Sequence, residues 1–330
     1  MPTDSIDVVC RQRIAWPEGN GRMHKQSRHR RDTTLAAMVI NQAVPRVRSR
    51  LDARVAILHT AEFLREVGGS YDVDLVVLPE HGMHGAPRRA GRHEPFTTSD
   101  EVLDALGPVC RESGLWVAVP VSAGGTRDDP DRQMALIDDN GEVVARHGAD
   151  PCSRRRAAGT RTVVGPGGLR TALAYGDRVR PFLSDDELWG AELVVQYWAS
   201  PAMSPRRVVQ AARSLAWTNT CFVVSANAAG TDGSHHWTGH SSLVSYDGAV
   251  LGLCGDLEYE LQYAELPIAA LRAERLRQAC SSRSAADTFA ARSRRSPSLH
   301  PAPTKNADRA PIASTSYGAR VSCVRPERIR

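Results

Sequence analysis

No stretch of this chain reaches the roughly 18 consecutive apolar residues that a membrane-spanning helix needs, which excludes a helical membrane anchor. No apolar run follows the basic residues Arg11, Arg13 and Arg22 near the start, so a secretory signal is not expected. The seven cysteines are odd in number and form no CxxC pair. They argue against a disulfide framework and for reduced thiols in a cytoplasm. Aromatic residues make up only 5% of the chain and hardly interleave with the arginines of its ends, which speaks against nucleic-acid binding. Lysine is scarcer still. It occurs only as Lys25 and Lys305, so no side-chain amine lies anywhere between them.

What is present is the composition of a globular protein of 330 residues with an uneven charge. Residues 1–32 hold seven Lys/Arg against four acids, and residues 281–330 hold ten against three, while the whole chain carries +5. The middle is therefore acidic and the ends basic. Neither end shows sustained periodicity, and both read as irregular: a basic leader over 1–32 and a Ser/Arg/Pro-rich tail over 281–330, flanking one domain over 33–280.

Within that domain, strand and helix signals alternate. The run Asp74-Leu75-Val76-Val77-Leu78-Pro79-Glu80 reads as a strand buried on both faces. Pro79 cannot donate to a sheet ladder, so the strand should stop there and leave Glu80 just past its carboxyl end. Open α/β sheets usually bind their ligands at that end. By itself the carboxylate is also readable as a solvated loop acid or a helix cap. Leu35–Asn41 predicts a first strand, and Leu51–Val67 an amphipathic helix with Val55, Leu58, Phe63 and Leu64 inward. A helix over Glu101–Ser113 precedes a buried strand at Leu115–Val119. Gln133–Ile137 and Val143–Ala145 flank Asp138-Asp139-Asn140-Gly141, whose Asn-Gly predicts a type I′ hairpin. Further on come strands at Leu169–Tyr175 and Ala191–Val195, a short helix at Asp185–Trp189, a helix at Pro205–Asn219 and a strand at Cys221–Ser225. A second hairpin turns through Tyr246-Asp247-Gly248. The pattern is α/β with mixed sheets covered by helices.

Segments in this order, with these words in them, resemble the nitrilase superfamily of carbon–nitrogen hydrolases, and its aliphatic amidase and formamidase branch in particular. The likeness is carried by Asn41-Gln42-Ala43-Val44-Pro45-Arg46, by Asp74–Glu80, by Leu136–Val144 and by Ala216–Gly230. It continues through Gly239-His240-Ser241, Asp247-Gly248 and Gln262-Tyr263-Ala264, and so spans about 33–280. The resemblance implies a four-layer αββα sandwich with two mixed β-sheets, no cofactor, and pairing with a second copy as a homodimer or higher oligomer. It also implies a glutamate acting as base, a lysine that stabilises the tetrahedral intermediate and a cysteine nucleophile.

Glu80 occupies the glutamate position. The lysine position falls on Ala149 in a gapless register, within Ala145-Arg146-His147-Gly148-Ala149. The cysteine position falls on Ala174, Tyr175 or Gly176, with Tyr175 the central register. None is a thiol, and a phenol is a poor nucleophile without strong activation. Candidate substitutes are Cys152 as a recruited thiol and Arg146, or one of Arg154, Arg155 and Arg156, as a cation. The accessory acid of some family members is replaced by Ala157. Cys110, Cys221 and Cys254 read as small buried residues. His81, His84, His147, His235, His236 and His240 fall in loops, with His81 and His147 as pocket candidates. The His81-x-x-His84 pair lacks an acid or cysteine at a ligand spacing, so no metal is expected. Gly165-Pro166-Gly167-Gly168 reads as a turn, not a phosphate cradle. Two functions follow as expectations. One is a degenerate amidase-like protein that keeps a pocket for a small amide-like or carboxylate ligand or serves as a partner subunit. The other is an active hydrolase of C–N bonds using Glu80 with Cys152 or an activated water.

Overall fold

In the computed structural model, residues 33–85, 96–125, 130–149, 162–175, 190–198, 204–231 and 235–295 are described. The chain divides into two compact units, Met1–Cys280 and Ser281–Arg330. The first unit holds two sheets. In one, β1 (Thr34–Ile40), β3 (Leu75–Val77) and β4 (Trp116–Gly125) run parallel, and β14 (Leu261–Pro267), β5 (Pro130–Ile137) and β6 (Val143–Ala149) complete the order β14-β1-β3-β4-β5-β6. In the other, β8 (Arg170–Tyr175), β9 (Leu193–Trp198) and β10 (Phe222–Thr231) run parallel. That sheet has the order β13-β12-β10-β9-β8-β7, with β7 at Val163–Val164, β12 at Ser242–Val244 and β13 at Val250–Leu253. Two short strands, β2 (Gln42–Ala43) and β11 (His236–Thr238), join the far end of β10.

Alternation along each strand sorts its side chains into layers. Leu75 and Val77 of β3 share a core between the sheets with Leu193, Val195 and Tyr197 of β9 and with Phe222, Val224 and Ala226 of β10. Val76 turns the other way, into a second core with Ile57 and Leu64 of helix α1 (Arg50–Ser70) and Val102, Leu106 and Val109 of helix α2 (Ser99–Ser113). On the outer side of the second sheet, Val194 and Val223 pack on Ala212, Leu215 and Ala216 of helix α3 (Pro205–Asn219). The result is the expected αββα order of layers with two mixed sheets.

Local chemistry explains the helix limits. Thr98 caps α2 by accepting from the Glu101 amide, and Glu101 reaches back to the Thr98 amide, a reciprocal capping box. Ser49 caps α1 by accepting from the Asp52 amide, and the Asp52 carboxylate accepts from the Arg48 amide. The inward face of α1 differs from the predicted one. Leu64 is buried and Phe63 half-buried as predicted, but Val55 and Leu58 are exposed, and the rest of the buried face is Ala53, Ala56, Ile57, Thr60, Ala61, Val67 and Gly68. The sequence offers two apolar stripes, and the one rich in alanine lets α1 approach α2 and the sheet closely.

The hairpin between β5 and β6 is also not a type I′ turn. Positive φ falls on Gly141 and not on Asn140. The Gly141 amide donates to the Asp138 carbonyl, and the Asp138 carboxylate accepts from the Asn140 and Glu142 amides. The Asp138 side chain therefore organises a longer loop, an Asx-type turn that competes with the two-residue one. Gly141 is required twice over, by its φ of +82° and because a Cβ would lie 2.3 Å from the Gly107 carbonyl oxygen of α2. A further difference lies at the end of the chain. Helix α4 runs over Ile268–Arg295, past Ser281, where composition predicts an irregular tail. Alanine and arginine, frequent there, are strong helix formers. The predicted short helix Asp185–Trp189 lies outside the described residues.

A buried polar knot ties the sheets together. Asn41, fully buried just after β1, donates from Nδ2 to the carbonyls of Gly255 and Leu257, both at 3.0 Å, and accepts from the Ser241 amide at 3.1 Å. Ser241 Oγ lies within hydrogen-bond distance of the Ile40 and Asn227 carbonyls and accepts from the Asn227 amide. Asn227 Nδ2 donates to the Gly239 carbonyl at 2.6 Å. A second polar anchor is Glu192, whose side chain is 8% exposed and which accepts from the Arg170 amide and the Arg272 guanidinium. Burial works to raise its pKa, and these hydrogen bonds and the two guanidiniums outweigh it, so the carboxyl sits below its ordinary range.

Two stability experiments follow. Asn41→Ala removes the acceptor of the buried Ser241 amide and the donor to the Gly255 and Leu257 carbonyls, of which Gly255 keeps the His240 amide, and urea unfolding should show a loss of about 2 kcal/mol, against less than about 0.5 kcal/mol for the exposed Arg146→Ala. A depressed carboxyl stabilises the fold above its unfolded pKa and loses that effect as pH falls through the folded value. Glu192→Gln should thus cost about 1–2 kcal/mol at pH 7, with the gap to the parent chain closing as the pH drops below the ordinary carboxylate range. A gap that stays constant to pH 3 would contradict the charge-based account.

Candidate functional site

The strand directions bring the candidate residues to one end of the sandwich. Glu80 follows β3, and its carboxyl end is shared with β4 and, through two antiparallel steps, with β6. Tyr175 ends β8 and is paired in register with Tyr197, next to the end of the parallel strand β9. Tyr197 is fully buried, and burial, assisted by the negative charge of Glu80, raises its phenol well above the usual value. That coupling places Glu80 of one sheet beside the last turn of β9 in the other.

Glu80 is 4% exposed. The segment from Glu80 to Gly85 forms a tight turn in which the Gly85 amide donates to the His81 carbonyl, and His81 holds φ at +67°. The left-handed region costs a residue with a Cβ about 1 kcal/mol, so the turn must be held by its surroundings. Gln42 supplies one clamp, donating from Nε2 to the Gly82 carbonyl at 3.2 Å. A Cβ on Gly82 would lie 2.3 Å from Gln42 Oε1, so only glycine leaves room for that clamp. His81 Nε2 lies 4.0 Å from Glu80 Oε1. The His81 ring in turn stacks at an angle on Trp237 of β11, with centroids 5.5 Å apart, and His235 lies against the same indole at 5.7 Å.

The other sequence candidates separate into those at this end and those elsewhere. His147 of β6 is half-buried and paired in register with Met134, whose side chain lies in the core between the sheets. Ala149, the lysine position, ends the same strand opposite Arg132. Arg146 is directed away. It pairs in register with Ala135, on the helix side of the sheet, and its guanidinium donates to Asp100 of α2 at 2.9 Å in solvent. It is spent on that surface ion pair and does not replace a lysine at Glu80. His84 meets Thr97, Nδ1 to Oγ1 at 3.4 Å, and His240 meets the Thr238 carbonyl at 2.7 Å. His81 and His84 thus turn to different neighbours, and among the described residues no three His, Cys, Asp or Glu side chains converge as a metal site. Cys152, Ala157, Gly176 and Arg154–Arg156 lie outside the described residues.

Cys110, Cys221 and Cys254 are buried, as the sequence suggests, and desolvation pushes each thiol up to about 12. None is an activated nucleophile. Two participants escape sequence reasoning, Tyr197 and Trp237. Tyr197 lies inside an apolar run that reads as plain core, and Trp237 meets His81 only through the pairing of β2, β10 and β11. The single available signal is the proximity of His235 and Trp237 to the family-like words around Gly239.

Comparison with known proteins agrees with this geometry. Residues 175–275 match the carbon-nitrogen hydrolase family. A formamidase of Bacillus cereus (strain G9842) is 25% identical over 227 residues, covering 64% of this chain and 68% of the relative. Among solved structures, a carbon-nitrogen hydrolase from Helicobacter pylori G27 superimposes with a TM-score of 0.61 at 17% identity, over 75% of this chain and 94% of its own. An amidase from Nesterenkonia sp. AN1, captured with the acetamide moiety of fluoroacetamide on its active-site cysteine, superimposes at 0.57 with 21% identity, over 79% and 99%. The chain thus has the fold of the solved carbon–nitrogen hydrolases, and its residues 175–275 match that family in sequence.

Proposed function

We propose that this chain is a carbon–nitrogen hydrolase-family protein whose Glu80 pocket binds a small amide-like or carboxylate ligand without the ordinary cysteine-dependent amide hydrolysis. The observation that carries the reading is the register of the second sheet. The strand position that resemblance assigns to the nucleophile is Tyr175, beside Tyr197, and the lysine position is Ala149 in a stretch with no lysine at all. A carboxylate base with neither thiol to deprotonate nor ammonium to offset an oxyanion lacks two of three working parts. The raised phenol of Tyr197 does not supply the missing nucleophile, because a phenol held protonated attacks poorly. Retention of a buried Glu80 on a clamped, strained turn supports a pocket that still holds something. The same reading places the protein in the cytoplasm and in a homo-oligomer or as a partner subunit of a larger assembly.

The test is ammonia release from formamide, acetamide and propionamide by the purified full chain. The expected outcome is turnover no faster than buffer, unchanged by Glu80→Gln or Cys152→Ala. Turnover that Glu80→Gln abolishes would overturn the reading, and its loss in Cys152→Ala would identify a recruited thiol. Thiol labelling offers a second check. Cys110, Cys221 and Cys254, with pKa near 12, should resist alkylation at pH 7.5 until the chain is unfolded. Rapid native-state labelling of any of the three would contradict their assignment as inert core residues.

A further inference from the structure

At the other end of the sandwich from Glu80, a cleft of about 530 Å³ opens where the parallel strands begin. Asp74 before β3, Trp116 at the start of β4 and Asp139 in the loop from β5 to β6 line it on one side. Gly167 and Gly168, before β8, and Arg272 of α4 line it on the other. Pockets of roughly 300–1,000 Å³ take small organic ligands. The space is open at the rim, because a Cβ on Gly114 or Gly168, which also line it, would meet nothing within 4 Å. Opposite charges share this cleft without meeting. Arg272 takes Glu192 as its ion-pair partner, at 3.2 Å, and donates to the Gly168 carbonyl at 3.2 Å. A guanidinium has about five N–H groups, so these bonds leave others to donate from a side chain that is 46% exposed. Among the described residues, the Asp139 carboxylate meets only Asn140 Nδ2 of its own loop, at 3.5 Å. Asp74, which accepts from the Ala36 amide, adds a second negative charge on that side. Trp116 is half-buried and packs on the core between the sheets.

We propose that this cleft binds a free α-amino acid with an aromatic side chain. Its carboxylate receives the spare N–H groups of Arg272, a planar fork that suits a carboxylate. Its ammonium group faces Asp139, with Asp74 adding to the negative field. Its ring covers the exposed part of Trp116. A zwitterion satisfies both walls at once. A simple anion sets its charge against two carboxylates, and a simple cation leaves the guanidinium unanswered, so each binds less well. The site is separate from the Glu80 pocket and stands or falls independently of what that pocket does.

Isothermal titration of the full chain with three probes tests the charge pattern without any variant. L-Phenylalanine carries both charges, N-acetyl-L-phenylalanine only the anion, and phenethylamine only the cation. The expected result is saturable binding of L-phenylalanine, with a Kd about tenfold or more weaker for each of the other two. Asp139→Asn should weaken L-phenylalanine about tenfold and leave N-acetyl-L-phenylalanine unchanged, while Glu80→Gln should change neither. In a chain with 15N-labelled tryptophan, the indole resonance lost in Trp116→Phe should shift with L-phenylalanine. No saturable binding of L-phenylalanine, or equal affinity for the three probes, overturns the proposal. Binding that survives Asp139→Asn in full and leaves the Trp116 resonance unmoved puts the ligand elsewhere and also overturns it. Loss of binding in Glu80→Gln alone assigns the ligand to the opposite end of the sandwich, with the same consequence.

Discussion

The arrangement depends most on the buried knot of Asn41, Ser241 and Asn227. Two β-sheets packed through apolar side chains can slide or rotate with little change in buried area, because the hydrophobic effect is not directional. Hydrogen bonds are directional. Asn41 reaches from the end of β1 to the Ser241 amide and to the carbonyls of Gly255 and Leu257, and Ser241 joins Ile40 of one sheet to Asn227 of the other. Asn41, Ser241 and Asn227 are buried, so a misplaced sheet would leave several of their polar groups unsatisfied at once. That penalty fixes where the carboxyl ends of β3, β9 and β10 stand relative to one another, and with them Glu80, Tyr197 and the strands that carry Trp237.

On the proposed reading, the chemistry at that end is uneven. Everything that holds Glu80 is present: the parallel strand, the tight turn with His81 at positive φ, and the Gln42 clamp that requires Gly82. The described groups that titrate near it or elsewhere in the core move away from reactivity. Burial raises the Tyr197 phenol and the three core thiols, and Arg146 is committed to Asp100 on the surface.

Much of the fold was legible in local sequence. The apolar run before Glu80 with Pro79 as its stop, the alternation of strands and helices, and the Asp247-Gly248 hairpin all encode their structure within a few residues. What the sequence hid depends on contacts made far along the chain or on side chains that compete with a standard turn. Val55 and Leu58 look like core because apolarity alone does not say which of two stripes packs, and the alanine-rich stripe wins by allowing closer approach. Asn140-Gly141 looks like a two-residue turn, but Asp138 claims the neighbouring amides. For the site, the sequence puts Glu80 and His81 side by side at a strand end, while the direction of Arg146, offered as a possible cation, depends on strand parity, which one residue of slippage reverses. Trp237 joins them across more than 150 residues, a link that local patterns do not carry.

The central claim is that the pocket survives without the family's thiol chemistry. Intact-mass spectrometry of the full chain after incubation with fluoroacetamide, followed by peptide mapping, tests it most directly. The account predicts that Cys152 gains no acetamide adduct faster than the slow labelling of the exposed Cys280. A stoichiometric adduct at Cys152, formed faster than at Cys280, would contradict it.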